Sequence, residues 1–184
     1  METILLGYLK KENLNDKNNQ NDKYEDSMIV CLLFCGNLLQ FSLKNYQMIN
    51  TLPLIDHNND SNIYSEPIKF LYKPKNDSTY LFTITNGNIL KQWTYTKNPN
   101  AQQNQNFKLI NNWGKIHNGT VHSIVTTPNK KYLFTSTSLS YLKQFCLSSF
   151  TMIKNYGKIH EGKVFSIETS ADSEFLFTSD QYGY

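Results

Sequence analysis

Residues 114–136, GKIHNGTVHSIVTTPNKKYLFTS, recur 43 positions later as residues 157–179, GKIHEGKVFSIETSADSEFLFTS. Both stretches begin with a glycine and a histidine, continue through an apolar strand-like segment and a polar turn, and end in an apolar run followed by Thr-Ser. The two copies keep one register throughout, although many individual residues differ. Self-similarity at a fixed spacing is typical of repeat architectures, so the chain is predicted to consist of copies of one structural unit.

Two further copies of the second half of this unit lie upstream. Residues 80–93, YLFTITNGNILKQW, precede residues 132–145, YLFTSTSLSYLKQF, by 52 positions, and a fainter copy covers residues 29–41. In each copy, short apolar runs alternate with turns rich in Gly, Asn and Ser, which is the pattern of antiparallel strands joined by hairpins. Polar insertions between the strands are expected to form exposed loops, and they cover Lys11–Asp26, Asp56–Ser65 and Thr96–Asn106.

The composition favours strands and limits the classes of function. Of the 184 residues, 14% are aromatic, mostly Tyr and Phe, which suit the pleated surfaces of an all-β protein. All 18 basic residues are Lys, so the chain lacks the planar Arg side chain that phosphates and base edges favour, and we expect no nucleic-acid binding. Because the cysteines form no paired motif and no apolar run is long enough to cross a membrane, we expect an intracellular, cytoplasmic protein without membrane attachment.

The copies resemble the repeats of the WD-repeat (WD40) family, which have a His near the start, a spaced apolar-Ser pair, a turn between the second and third strands, and an apolar closing position. The resemblance covers the chain after about residue 27. It implies an all-β fold, a partial β-propeller with about three four-stranded antiparallel blades and an incomplete fourth. The implied units are a degenerate first blade (1–65), a second blade with a long Asn/Gln-rich loop (66–114), a third blade (115–157) and a truncated fourth blade (158–184).

The resemblance also assigns structural roles to repeat positions. A histidine begins two copies, a threonine lies in the second strand of three copies, and an aromatic residue closes the third strand. These positions are His117 and His160, then Thr83, Thr135 and Thr178, then Trp93, Phe145 and Phe41. Leu139, Gly87 and Cys35 stand where the family has its acidic turn residue, so we expect only partial hydrogen-bonded sets, the best being His117 with Thr135 and Thr83 with Trp93.

The fourth copy stops at Tyr184, before its closing aromatic position. Propellers have about four to eight complete blades, so we expect this sequence to be a fragment, or a truncated gene model, of a longer propeller. If 184 residues were the whole protein, strand edges would be exposed, and we would expect it to self-associate.

Candidate metal ligands are few. His117 and His160 could bind a metal, but they occupy equivalent positions of neighbouring units, which favours a hydrogen bond within each unit instead. Cys31, Cys35 and Cys146 would need a coincidental geometry to bind zinc, and buried small side chains are the commoner explanation. We therefore expect no metal and no cofactor.

Catalytic arrangements are equally weak. Ser179, His160 and Asp180 could form a hydrolytic triad, but no Gly-x-Ser-x-Gly elbow supports it, and no phosphate-binding glycine motif occurs. A hydrolase or metal site in a propeller channel would need convergent acidic or His residues, and the inner strands offer only Glu168 and His122. The sequence therefore predicts that the protein is not an enzyme.

The remaining function is surface recognition, and the sequence predicts a scaffold that binds proteins or peptides. In the family that the repeats resemble, partners contact positions next to the start of the inner strand and before the turn between the second and third strands. The candidates here are Thr120, His122, Ser138, Lys163, Phe165 and Gln181. The alternative hypothesis is a targeting or regulatory appendage of a larger enzyme or kinase-type assembly, whose catalytic part lies outside this sequence.

Overall fold

The computed structural model describes residues 3–9, 27–32, 37–42, 47–55, 68–72, 80–96 and 106–184. Within these ranges the chain forms strands and turns and contains no helix, which confirms the predicted all-β class. The strands are β1 (Thr3–Leu9), β2 (Ser27–Leu32), β3 (Asn37–Ser42), β4 (Met48–Ile55), β5 (Ile68–Tyr72), β6 (Tyr80–Thr85), β7 (Ile89–Thr96), β8 (Asn106–Lys115), β9 (Val121–Thr126), β10 (Tyr132–Thr137), β11 (Tyr141–Cys146), β12 (Thr151–Lys158), β13 (Val164–Thr169) and β14 (Leu176–Asp180).

The strands pair antiparallel in chain order and form four groups. β1 to β4 make the first blade, β5 to β8 the second and β9 to β12 the third, while β13 and β14 are two strands of a fourth. The first and second blades meet edge to edge, where β4 and β8 run parallel and Leu54 pairs with Phe107. This arrangement is the partial β-propeller of four-stranded antiparallel blades that the repeats predicted.

The outer hairpins of the second and third blades repeat in detail. Leu90 pairs with Gly114 and Leu142 with Gly157, and each pairing is followed by a β-bulge. The two glycines have positive φ angles of 68° and 73°, which L side chains rarely adopt. The recurrent glycine of the sequence repeat is thus the bulge residue of the fourth strand.

The inner hairpins also share an irregularity. Antiparallel pairing is interrupted next to Ile68 in the second blade, Thr137 in the third and Val164 in the fourth. A bulge in this place increases the local twist of each hairpin, so the same sequence pattern bends the inner part of all three blades in the same way.

The apolar core lies between blades rather than within a single sheet. One cluster joins the second and third blades through Phe82, Ile84, Leu90, Ile116, Val121, Ile124, Leu133 and Phe145. Another joins the third and fourth blades through Val125, Phe134, Leu142, Val164 and Ile167. Because each blade covers the face of its neighbour, β10 in the middle of the third blade is buried at five of its six positions, whereas β12 at its outer edge is almost entirely exposed.

Some predicted features fall outside the described residues. These are the loops Lys11–Asp26 and Asp56–Ser65 and the residue Cys35, whereas Thr96 and Asn106, the ends of the third predicted loop, belong to β7 and β8. Among the described residues, no helix is long and apolar enough to cross a membrane.

Candidate functional site

The predicted contact positions of the third blade lie where two connections meet. The β8–β9 connection contains Thr120 and the β10–β11 turn contains Ser138, and the Ser138 N–H donates to the Thr120 carbonyl oxygen at 2.8 Å. Both connections lie at the end of the blade where β9 begins. His122 follows one residue inside β9 and is half-buried.

The fourth blade repeats this arrangement. The Gln181 N–H donates to the Lys163 carbonyl oxygen at 3.0 Å. Phe165, one residue inside β13, is 59% exposed, and the Lys163 ammonium lies 5.9 Å from the centre of its ring. The structure thus brings Thr120 to Ser138 and Lys163 to Gln181 and Phe165.

The two blades place these positions side by side. β13 contacts β9, and the Ile167 N–H donates to Ser123 Oγ at 3.3 Å. We call the end of the blades that contains Thr120, His122, Ser138, Lys163, Phe165 and Gln181 the rim. Its chemistry is an exposed aromatic ring beside a cation and several polar groups, which suits contact with another macromolecule.

His117 and Thr135 lie directly beneath the rim of the third blade. His117 Nε2 is 2.8 Å from Thr135 Oγ1, and both side chains are buried. Burial, with a smaller contribution from the nearby Lys143 ammonium, lowers the pKa of His117 from 6.5 to about 4. The imidazole is therefore neutral at pH 7 and fixes the connection between β8 and β9.

The fourth blade contains a larger set. His160 Nε2 is 2.8 Å from Thr178 Oγ1, and His160 Nδ1 is 3.8 Å from Asp180 Oδ2. Asp180 Oδ1 accepts hydrogen bonds from the Tyr182 and Tyr184 N–H groups at 2.9 and 3.1 Å. Burial acts to raise the pKa of Asp180, but backbone N–H groups outweigh it, so this pKa lies below its usual value.

Asp180 ends β14 and accepts hydrogen bonds from the backbone that follows it. Its backbone equivalents are Thr85 and Thr137, because each of the three side chains accepts from the N–H four residues later, at 3.3, 3.2 and 3.1 Å. Leu139 and Gly87 lie two residues after Thr137 and Thr85, and Cys35 lies outside the described residues, so the prediction that these three stand in place of the acidic turn residue stays a prediction. Of the three equivalent positions that share this hydrogen bond, the one in the fourth blade is acidic, and it lies next to His160.

In the second blade the threonine has a different partner. The Trp93 indole N–H donates to Thr83 Oγ1 at 2.9 Å, and both residues are buried. Phe145 occupies the equivalent place in the third blade and is also buried. Phe41 lies in β3 and pairs with Met28 of β2, but its side chain lies outside the part of the chain that the structure describes.

The metal site and the hydrolytic triad considered from the sequence are not formed among the described residues. No group of three or more His, Cys, Asp or Glu side chains could hold a metal ion there. His160 Nε2 is engaged by Thr178 rather than Ser179. Hydrogen bonds from Ser148 and Ser149 lower the pKa of the unpaired Cys146 thiol to about 6.

Comparison with solved structures finds 759 similar chains. One of them is the crystal structure of the β-propeller domain of Myceliophteria thermophila Cps50 (Swd1), with a TM-score of 0.62 and 11% sequence identity. The chain has a β-propeller fold. The alignment covers 86% of this chain but only 45% of the Cps50 domain, so the propeller described here spans less than half of that structure.

Comparisons of sequence give no further assignment. No family model matches the chain, and no curated protein matches it either. At 11% identity the structural likeness concerns the fold alone.

Sequence reasoning missed one residue that links two blades of the propeller. Asn88, in the β6–β7 turn, has φ of 60°. Its carbonyl oxygen accepts from the Ile116 N–H at 3.1 Å, and its side chain lies 3.4 Å from the His117 carbonyl oxygen and 3.4 Å from the Val121 N–H. The signal in the sequence was the Asn-Gly-Asn turn, because Asn tolerates the left-handed conformation better than other side chains do.

Proposed function

We propose that this chain is a segment of a WD-repeat propeller that acts as a non-catalytic scaffold for other proteins or peptides. The observation that carries the proposal is the rim, an exposed Phe165 beside Lys163, built on backbone hydrogen bonds that recur in two successive blades. The His–Thr pairs beneath the rim support membership of that family, because they occupy its repeat positions. The residue boundaries 1–65, 66–114, 115–157 and 158–184 belong to the same proposal.

The chemistry of the rim favours protein partners. Aromatic residues dominate binding energy at protein interfaces, and polar neighbours around them set orientation. Phe165 supplies the aromatic contact at the rim, and Gln181, which is exposed, supplies an amide that can donate and accept. We further propose an intracellular, cytoplasmic location, since the cysteines form no paired motif. We propose no nucleic-acid binding, since the basic residues are all Lys, and no membrane binding, since no apolar run in the sequence is long enough to cross a membrane.

A polypeptide limited to these 184 residues would also self-associate. Phe175 and Phe177 are 58% and 61% exposed beside β14, and β14 pairs only with β13 among the described strands. An apolar strand edge of this kind is a template for pairing with another chain.

The test is partner capture from the source cells with matched charge variants. The rim variant combines Phe165→Ala with Lys163→Glu, and the control is Lys131→Glu, which makes the same charge change in the β9–β10 turn at the opposite end of the blades. Bound proteins are cross-linked and quantified by mass spectrometry. We expect the rim variant to lose at least about tenfold of one or more partners that the control retains, as expected when a hot-spot residue is removed. Retention of every partner by the rim variant would refute the proposal.

A further inference from the structure

The connection between β8 and β9 contains an asparagine followed by a glycine. Asn118 is exposed. The connection is held on either side of it, because the Ile116 N–H and the Thr120 carbonyl oxygen form hydrogen bonds to neighbouring turns at 3.1 and 2.8 Å. Among the described residues, no hydrogen bond holds the Asn118 side-chain amide or the Gly119 N–H. These two groups are therefore free to approach each other.

An asparagine in this setting can lose its amide without an enzyme. The Gly119 nitrogen gives up its proton and forms a bond to Asn118 Cγ, the Cγ–Nδ2 bond breaks, and the side-chain nitrogen takes up a proton and leaves as ammonia. Water then opens the resulting cyclic imide at one of its two carbonyl groups and leaves an aspartate or an isoaspartate, and no atom is oxidised or reduced. Glycine favours the first step because it has no Cβ to block the approach.

The fourth blade already has a carboxylate at the same repeat position. Glu161 follows Asn118 by 43 positions, and Lys158 follows Lys115 by the same spacing. Lys158 Nζ donates to Glu161 Oε2 at 2.7 Å, and this hydrogen bond lowers the pKa of Glu161. The backbone of this connection therefore accommodates a negative charge beside the histidine of the repeat, where a lysine three residues earlier pairs with it.

The chain contains one other Asn-Gly pair, and the fold restrains it. Asn86 and Gly87 are exposed in the β6–β7 turn, but the Asn88 N–H closes this turn by donating to the Thr85 carbonyl oxygen at 2.9 Å. Asn88 is itself buried, and its side chain lies 3.4 Å from two backbone groups of the β8–β9 connection and β9. Reaction at Asn86 would require this anchored turn to open.

We propose that Asn118 is a site of spontaneous deamidation and that the carboxylate formed there pairs with Lys115. Lys115 is exposed, and among the described residues it has no carboxylate partner. The reaction creates in the third blade the ion pair that Lys158 and Glu161 form in the fourth. It adds a negative charge to the connection that contains Thr120 of the rim, and it does not depend on whether the rim binds a partner.

The test follows both Asn-Gly pairs in the full folded chain. The protein is incubated at neutral pH in water labelled with heavy oxygen, and the label at each pair is quantified by peptide mass spectrometry. We expect Asn118 to react about tenfold faster than Asn86, since opening the turn at Asn86 breaks one or two hydrogen bonds. In urea the two rates should converge, because the turn that protects Asn86 is lost. Equal rates in the folded chain, or no label at Asn118, would overturn the proposal.

Matched variants test the reaction and the ion pair separately. Asn118→Gln should take up no label at this position, because its longer side chain would have to close a larger ring, while Asn86 reacts as before. In Asn118→Asp, the pKa of the new carboxyl, measured by NMR, should lie below its usual value, and Lys115→Gln should raise it again. Lys158→Gln, the same change one blade later, should leave it unchanged. A pKa that does not respond to Lys115→Gln would contradict the proposed pairing.

Discussion

Lowering the pH from 7.5 to 4.5 should destabilise the protein through His117. Its side chain is 4% exposed, and its Nε2 is engaged by Thr135 Oγ1 at 2.8 Å. Burial and then the Lys143 charge lower its pKa from 6.5 in an unfolded chain to about 4. Protonation of the folded protein is therefore unfavourable across most of this pH range, whereas the unfolded chain binds a proton readily.

The sign and size of the effect follow from this difference. A histidine with a lowered pKa contributes full stability above pH 6.5, and that contribution is lost as the pH falls toward 4. Each unit of pKa difference corresponds to about 1.4 kcal/mol, so the free energy of unfolding should fall by roughly 3 kcal/mol over the window from pH 6.5 to 4. The carboxylates with lowered pKa values, such as Asp180, lose their contributions at the acidic end of this window and below it.

The assay is urea denaturation followed by circular dichroism at half-unit pH steps. The control is His117→Gln, whose neutral amide can still hydrogen-bond to Thr135 but does not titrate. We expect the wild-type protein to be the more stable above pH 7 and the difference between the two proteins to shrink steadily as the pH falls to 4.5. Parallel stability curves over the whole range would show that His117 does not titrate as a buried neutral histidine, and the argument would be wrong.

Two further predictions concern the repeat positions. Thr83→Val should lower the free energy of unfolding by about 1 to 3 kcal/mol, because it leaves the buried Trp93 N–H without an acceptor. The same change made in a Trp93→Phe background should lower it far less. Additive effects in this double-mutant cycle, measured by urea denaturation, would exclude the hydrogen bond as the cause. Gly114→Ala and Gly157→Ala should each lower the free energy of unfolding by about 1 to 2 kcal/mol, because both glycines have positive φ and a Cβ would meet nothing within 4 Å. Clearly unequal effects of the two glycine substitutions would mean that the outer hairpins are not equivalent.

The backbone of this protein was largely predictable from its sequence, because the repeat shows which residues of successive blades are equivalent. The strand-like segments at 121–124 and 164–167 begin β9 and β13, and the recurrent glycines mark the outer bulges. The hydrogen bonds of the turn residues were harder to predict from the sequence. In sequence, Asp180 was placed beside His160 only as part of a triad with Ser179, whereas in the folded chain Thr178, and not Ser179, engages His160 Nε2.

The contact that Trp113 makes with the third blade could not have been predicted, because it depends on where one ring points. In sequence, Trp113 and Tyr156 are interchangeable aromatic residues at equivalent positions. In the folded chain, Tyr156 donates to the glutamine of its own blade, whereas Trp113 packs against the next blade. Repeats predict backbone position well, but a side chain's rotamer depends on the neighbouring blade, and that neighbour differs for each repeat.

The degeneracy of the repeats has a physical explanation in the threonines of the second strand of three blades, which are buried in the second and third blades and half-buried in the fourth. Each of them has a hydroxyl that needs at least one partner when water is excluded. In the second blade the partner is the Trp93 indole, in the third it is His117, and in the fourth it is His160. Because the histidine approaches this hydroxyl from the connection before the blade and the tryptophan from the third strand, a blade can lose one of them without leaving the threonine unsatisfied. Phe145 is therefore tolerated where Trp93 stands in the second blade, since His117 already engages Thr135, and the motif can erode one residue at a time while the blade remains intact.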